Sequence, residues 1–295
     1  GGGIFFDLLG SGELTIAGVR TPPFYNRILV FGRPGFPGIL NAAQGRNPST
    51  AIDGLDYELP QPYVARWQLQ LEHQLGDDAV VRAAYSGMRG IHLMGQVGNF
   101  NTPIPQVDAQ GTTFFPAGGA RLNPAFSRIG TRRAQFNSYY HGLTVGLENR
   151  WKNRVRYQFK YGWSKSIDES SSSTFNDFEA SDQVPTTYNY RLNRGPSEFD
   201  LTHVFAGSFS YLLPNLSNAG ALRHLTNGWE FHGLTQVQSG SPFGPSVGFD
   251  RARLEPGFGD VGQRPDLISG TSESIVLGGP DQYFNPLAFG LPRAG

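Results

Sequence analysis

Between Tyr139 and Trp163 apolar and polar residues alternate in two runs joined by a very short link. Tyr139, His141, Leu143, Val145, Leu147 and Trp151 share one parity, and Tyr140, Thr144, Glu148 and Arg150 take the other. Val155, Tyr157, Phe159, Tyr161 and Trp163 then alternate with Arg154, Arg156, Gln158 and Lys160. Strand side chains change face at every residue, so the pattern predicts a β-hairpin with one greasy and one wet face. A two-residue turn at Lys152 and Asn153 would set Trp151 against Arg154 and mix the faces. Opposed residues must share a face, which predicts a three-residue turn or a bulge, one such register placing Glu148 opposite Arg156.

Two further hairpins follow the same rule. Trp67, Leu69, Leu71 and Leu75 alternate with Arg66, Gln68, Gln70, Glu72 and Gln74, then Gly76-Asp77-Asp78 turns the chain into Val81, Ala83 and Tyr85. Phe205, Phe209, Tyr211 and Leu213 are followed, across a connector beginning at Pro214, by Trp229, Phe231 and Val237. Residues 1–60 yield only one predicted strand, near Gly3 to Leu9. Short links at 76–78 and 152–153 and a medium one at 214–227 contrast with long polar segments at about 87–137 and 166–200. Structureless loops of that length are unusual in compact soluble domains. Short turns at one rim and long loops at the other describe a transmembrane barrel.

Run length agrees with that picture. A lipid band about 25 Å tall, crossed at about 40° by a strand rising about 3.3 Å per residue, needs about 10 residues. Tryptophans fall near run ends, as an interfacial girdle requires: Trp151 and Trp229 by the short turns, Trp163 and Trp67 toward the long loops. A soluble sandwich, with greasy faces packed on each other, would show the same alternation. The fold class expected is all-β, an antiparallel meander of about 8–10 strands forming a partial transmembrane barrel, drawn as an open, curved sheet with exposed edges.

Composition narrows this further. Only 16% of the 295 residues are charged, with 39 Gly, 21 Pro, 22 Phe, 12 Tyr and 4 Trp; soluble globules average about a quarter charged. The net charge of zero argues against nucleic acid as a partner. Cysteine is absent, so neither disulfides nor thiolate metal sites are available. No apolar run approaches the roughly 18–20 residues of a membrane helix. Gly1 to Asp7 has no signal-like core, and Gly290 to Gly295 is loop-like, so a fragment of a longer chain is expected.

Several ordered motifs carry a resemblance. Ser138-Tyr139-Tyr140-His141-Gly142-Leu143 runs through Arg150-Trp151-Lys152-Asn153-Arg154 into Tyr161-Gly162-Trp163-Ser164-Lys165-Ser166-Ile167-Asp168. Then come Asn193-Arg194-Gly195-Pro196-Ser197-Glu198-Phe199-Asp200, Asn227-Gly228-Trp229-Glu230, Gln238-Ser239-Gly240-Ser241-Pro242-Phe243, Gln263-Arg264-Pro265-Asp266 and Tyr283-Phe284-Asn285-Pro286. Residues 60–290 thereby resemble the barrel of TonB-dependent receptors of the Oar-like type, common in Acidobacteria. The resemblance implies that residues 1–295 are part of such a barrel in a bacterial outer membrane, with plug and final strands missing. It further implies lipid as a partner, a TonB-type energy-coupling complex acting through the absent N-terminal part, and import of a solute such as an oligosaccharide or peptide. Two rival roles are an adhesin or secretion-linked barrel without import, and a soluble carbohydrate-binding sandwich.

Candidate chemistry sits in the loops. Phe100, Phe114, Phe115 and Phe126 in one long segment, and Phe175, Phe178, Tyr188 and Tyr190 in the other, are interleaved with Asn and Arg and suit a sugar or peptide, or simply pack the loops. Glu72, Glu148, Arg154, Arg156 and Lys160 are expected to face a wet interior. Gly244-Pro245-Ser246-Val247-Gly248 matches the hydrolase elbow in letters only, lacking a preceding strand and following helix, so no catalysis is expected. The six histidines form no metal motif, and Asp7, Asp53, Asp56, Asp168 and Asp182 are scattered; no cofactor is expected, with room only for a loop calcium ion.

Overall fold

Each alternating run becomes a strand, and the pairing carries its parity across the sheet. The computed structural model describes residues 1–7, 35, 51–149, 154–171, 188–215, 220, 227–253, 263–268, 270 and 275–294. In chain order the strands are β1 (Gly2–Phe6), β2 (Ala51–Leu55), β3 (Tyr63–Leu75), β4 (Ala79–Val97), β5 (Gln106–Val107), β6 (Thr113–Phe114), β7 (Arg128–Asn149) and β8 (Val155–Asp168). They continue as β9 (Gly195–Pro196), β10 (His203–Leu212), β11 (Glu230–Gln238), β12 (Asp266–Leu267) and β13 (Phe289–Gly290). Nine form one open sheet along the path β1-β3-β4-β7-β8-β10-β11, with β2 attached to β7 and β9 to β8. β5–β6 and β12–β13 are separate two-stranded sheets.

The path is antiparallel throughout, and from β3 to β11 odd residues oppose odd ones except between two bulges in β4 and β7. Leu75 pairs with Ala79, leaving Gly76, Asp77 and Asp78 as a three-residue turn that Gly76 enters at φ +61°. In the β7–β8 hairpin Glu148 faces Gln158, not Arg156. Arg154 takes φ +66° as a turn residue, so pairing starts later than expected. The parity rule still holds, and Trp151 lies outside the described residues.

Among the described residues, one face of this sheet has no second layer. Leu71 is 65% exposed and Phe231 58%, and Leu69, Leu143, Val145, Tyr161 and Phe209 are also exposed. A sandwich buries this surface; here it stays exposed. No described helix is long and apolar enough to cross a membrane.

Burial is concentrated at the long-loop end instead. β4 and β7 continue past the other strands to Val97 and back to Arg128, so residues 87–97 and 128–137, read from sequence as loop, are strand. Two opposed bulges mark the extension. Ile91 and His92 together face Asn137, His92 at φ +55°, and Gln135 is the compensating extra residue on β7. Beyond them Phe136 and Val97, each 1% exposed, pack with Leu93 and Tyr190. β2 runs parallel to Arg128–Arg132, on the edge of β7 that β8 uses lower down.

Candidate functional site

The strand ends carry a cap of loops with its own polar framework. Asn101 is fully buried and ties the loop after β4 together: its amide donates to the carbonyls of Asn123 (2.8 Å) and Phe126 (2.7 Å), and its Oδ1 accepts from the Asn123 N–H (2.8 Å). At the loop tip Asp108 accepts from the backbone N–H groups of Gln110 (3.0 Å) and Thr112 (2.8 Å). Those backbone bonds, together with the Arg293 guanidinium at 2.5 Å, hold its carboxyl below the ordinary value. Arginines from the last third of the chain fasten the loops. Arg253 donates to the Phe115 carbonyl (3.1 Å), Arg264 to Leu192 O and Asn193 Oδ1 (both 2.8 Å), and Arg293 to Asp108.

The segment Asn193 to Asp200 is bound down onto the top of β8. Asp200 accepts from Lys165 (2.6 Å) and from the Ser166 N–H (2.7 Å), while the Ser166 and Ser197 hydroxyls meet at 2.8 Å. Burial would raise the Asp200 pKa; Lys165, the Ser166 N–H and the Thr202 hydroxyl outweigh it and hold the carboxyl below its ordinary 3.8. On the other flank Asp53 and Arg128 form a buried ion pair at 2.7 Å, with Arg128 also donating to Gly98 O.

The predicted aromatics divide by role. Phe115 is buried and its ring meets Tyr188 from the second loop at 6.2 Å; Tyr190 sits edge-on to Phe136 in the core. Phe100 lies under the Arg133 guanidinium at 4.7 Å, and Phe114 and Phe126 are half-buried. Phe115, Tyr190 and Phe100 thus pack within the protein, whereas Tyr188 keeps an exposed edge. Phe175 and Phe178 lie outside the described residues.

A more solvent-facing pair escaped the sequence reading. Phe243, 67% exposed, stands 5.6 Å from Tyr283, 53% exposed, with Phe284 and Phe289 stacked edge to face behind them. Both belong to motifs quoted above as landmarks. Their separation of forty positions concealed that they meet.

On the polar face of the sheet Arg82 joins Glu72 (2.8 Å) and Glu148 (2.6 Å), bridging β3, β4 and β7. Arg82 shares their parity and was the signal overlooked. Arg156 and Lys160 occupy the same face on β8, opposite Ser210 and Ala206. Arg154 does not: it is a rim residue in the turn, since φ +66° takes it out of the strand. Of the girdle residues, Trp67 and Trp163 lie on the apolar face toward the loops, and Trp229 is exposed by the turn-side end of β11. Val247, within the elbow-like motif, makes an isolated bridge to Gln263, and the described residues after it form bends, not a helix.

An apolar unlayered face, a polar opposite face and a loop cap at one rim together describe a barrel wall. Residues 1–295 match the outer membrane beta barrel domain family. The chain is an outer membrane β-barrel domain. The barrel domain also has a likeness to the crystal structure of the outer membrane transporter YddB from Escherichia coli, at 15% identity and a TM-score of 0.34. That likeness covers 55% of this chain and 20% of the transporter, so the barrel domain spans about a fifth of that protein's length. No curated protein is a significant match.

Proposed function

We propose that this outer-membrane domain is the receptor wall of a TonB-dependent transporter of the Oar-like type, non-enzymatic, that captures an oligosaccharide or peptide at the loop cap for import. The single observation that carries the binding role is the Phe243–Tyr283 pair, two solvent-facing rings in mutual contact on the loop side. Exposed rings held in place contact sugar faces or peptide side chains at little ordering cost. The resemblance of residues 60–290 supports coupling to an inner-membrane energy complex.

Uptake by cells carrying the intact parent protein, with and without the energy complex, is the test. Import should require the complex, and Phe243→Ala with Tyr283→Ala should lower ligand binding at least about tenfold, two stacking contacts being worth about 1 kcal/mol each. Binding that is unchanged by the energy complex, with no uptake, identifies an adhesin instead.

A further inference from the structure

On the apolar face the hydrogen-bonded rows change character in order toward the long-loop rim. Leu71, Ala83, Val145 and Tyr161 form one row; Leu69, Tyr85, Leu143, Trp163 and His203 the next. Trp67, Gly87, His141 and Lys165 follow, and then Ala65, Arg89, Tyr139 and Ile167. The surface thus passes from aliphatic to aromatic and imidazole, and finally to cationic. Tyr85 bonds His141 Nδ1 at 2.7 Å, and Tyr161 bonds His203 Nδ1 at 2.8 Å, so the same Tyr–His pair recurs two strands apart.

Above these pairs Tyr139 is flanked by two guanidinium groups, Arg89 at 5.3 Å and Arg194 at 5.6 Å from the ring centre. Both arginines are exposed. A cation held over a ring keeps its N–H groups available to an outside acceptor. Odd positions of β3, β8, β10 and β11, and of β4 and β7 below the bulges, include no carboxylate. Asp200, the partner of Lys165, is 3% exposed and lies in the cap.

We propose that Arg89 and Arg194, clamped on Tyr139 above His141, seat the phosphate groups of anionic lipid headgroups in the leaflet on the long-loop side. Charge complementarity carries the assignment, together with position: two residues along a strand is about 7 Å, so the cations stand directly beyond the Trp67–Trp163 belt that marks the interface. Acyl chains of the same lipid then follow the aliphatic rows below. The inference depends on the lipid-facing surface alone and is independent of import.

The test uses the intact protein in nanodiscs of phosphatidylcholine with or without phosphatidylglycerol, counting retained lipids by native mass spectrometry. Preference for phosphatidylglycerol should fall about fivefold for Arg89→Gln or Arg194→Gln and about 25-fold for both, at the usual worth of one basic residue near an anionic surface. Arg89→Lys with Arg194→Lys should keep most of the preference. Lys160→Gln, on the opposite face, should leave it unchanged. The proposal is overturned if the double glutamine variant keeps the heat-modifiable mobility of a folded barrel and the wild-type preference, or if Lys160→Gln loses as much. It is also overturned if millimolar inorganic phosphate abolishes the preference, which would identify a free-anion site.

Discussion

Charged residues in this domain differ in worth according to the water around them. The Asp53–Arg128 pair is buried on both sides, so Asp53→Ala removes the carboxylate facing a buried guanidinium and should cost about 3–5 kcal/mol locally. Loss of amide-exchange protection over residues 51–55, with the β3–β4 hairpin still protected, is the expected reading. Arg82, between Glu72 and Glu148, is partly solvated on the polar face, and Arg82→Gln should cost far less than Asp53→Ala despite breaking two pairs. Unfolding in urea from vesicles compares the two. Asp200 adds a pH dependence. Its carboxyl is held below 3.8 in the folded protein, so its contribution is complete above that value and is lost as pH falls through the lower folded pKa. Pepsin should therefore cut within 193–203 only as pH drops below about 3.8, while Asp200→Asn should be cut at any pH at which pepsin works.

Elements were legible in proportion to how cleanly they alternate. β3, the lower halves of β4 and β7, β8, β10 and β11 each place one greasy parity on one face, and their existence and facing follow from that alone. The arm of β4 and β7 beyond the bulges was not legible, because Gly90-Ile91-His92 and Ser127-Arg128-Ile129-Gly130 interrupt the alternation and the bulges shift its phase. β2 carries five residues with no alternation and is recruited by a vacant edge of β7. Of the predicted site aromatics, Phe115 and Tyr190 pack inside the cap and its core, since sequence cannot distinguish a ring that binds from a ring that packs. Within the arm Gly95 is a point of close approach: a Cβ there would lie 2.2 Å from the Phe136 ring. Gly95→Ala should displace that ring from Val97 and cost about 1–3 kcal/mol, seen as faster proteolysis of residues 98–127 without loss of barrel mobility.

For the whole molecule the two faces of the wall are the governing fact. Arginine at Leu71, on the apolar face, should cost about 2–4 kcal/mol of membrane stability, while arginine at the adjacent Gln70 should be nearly neutral. The fraction migrating as folded barrel after extraction reports both. The parallel seat of β2 on β7 has a consequence in time. Hairpins β3–β4, β7–β8 and β10–β11 close short or medium links, whereas Ala51 must find Arg128 across the first two of those strands. Loop closure over such a span is slow compared with a three-residue turn. Assembly should therefore run from the membrane outward, the wall zipping early and β2 locking the arm last, so that the cap becomes competent to hold a ligand only after the wall stands.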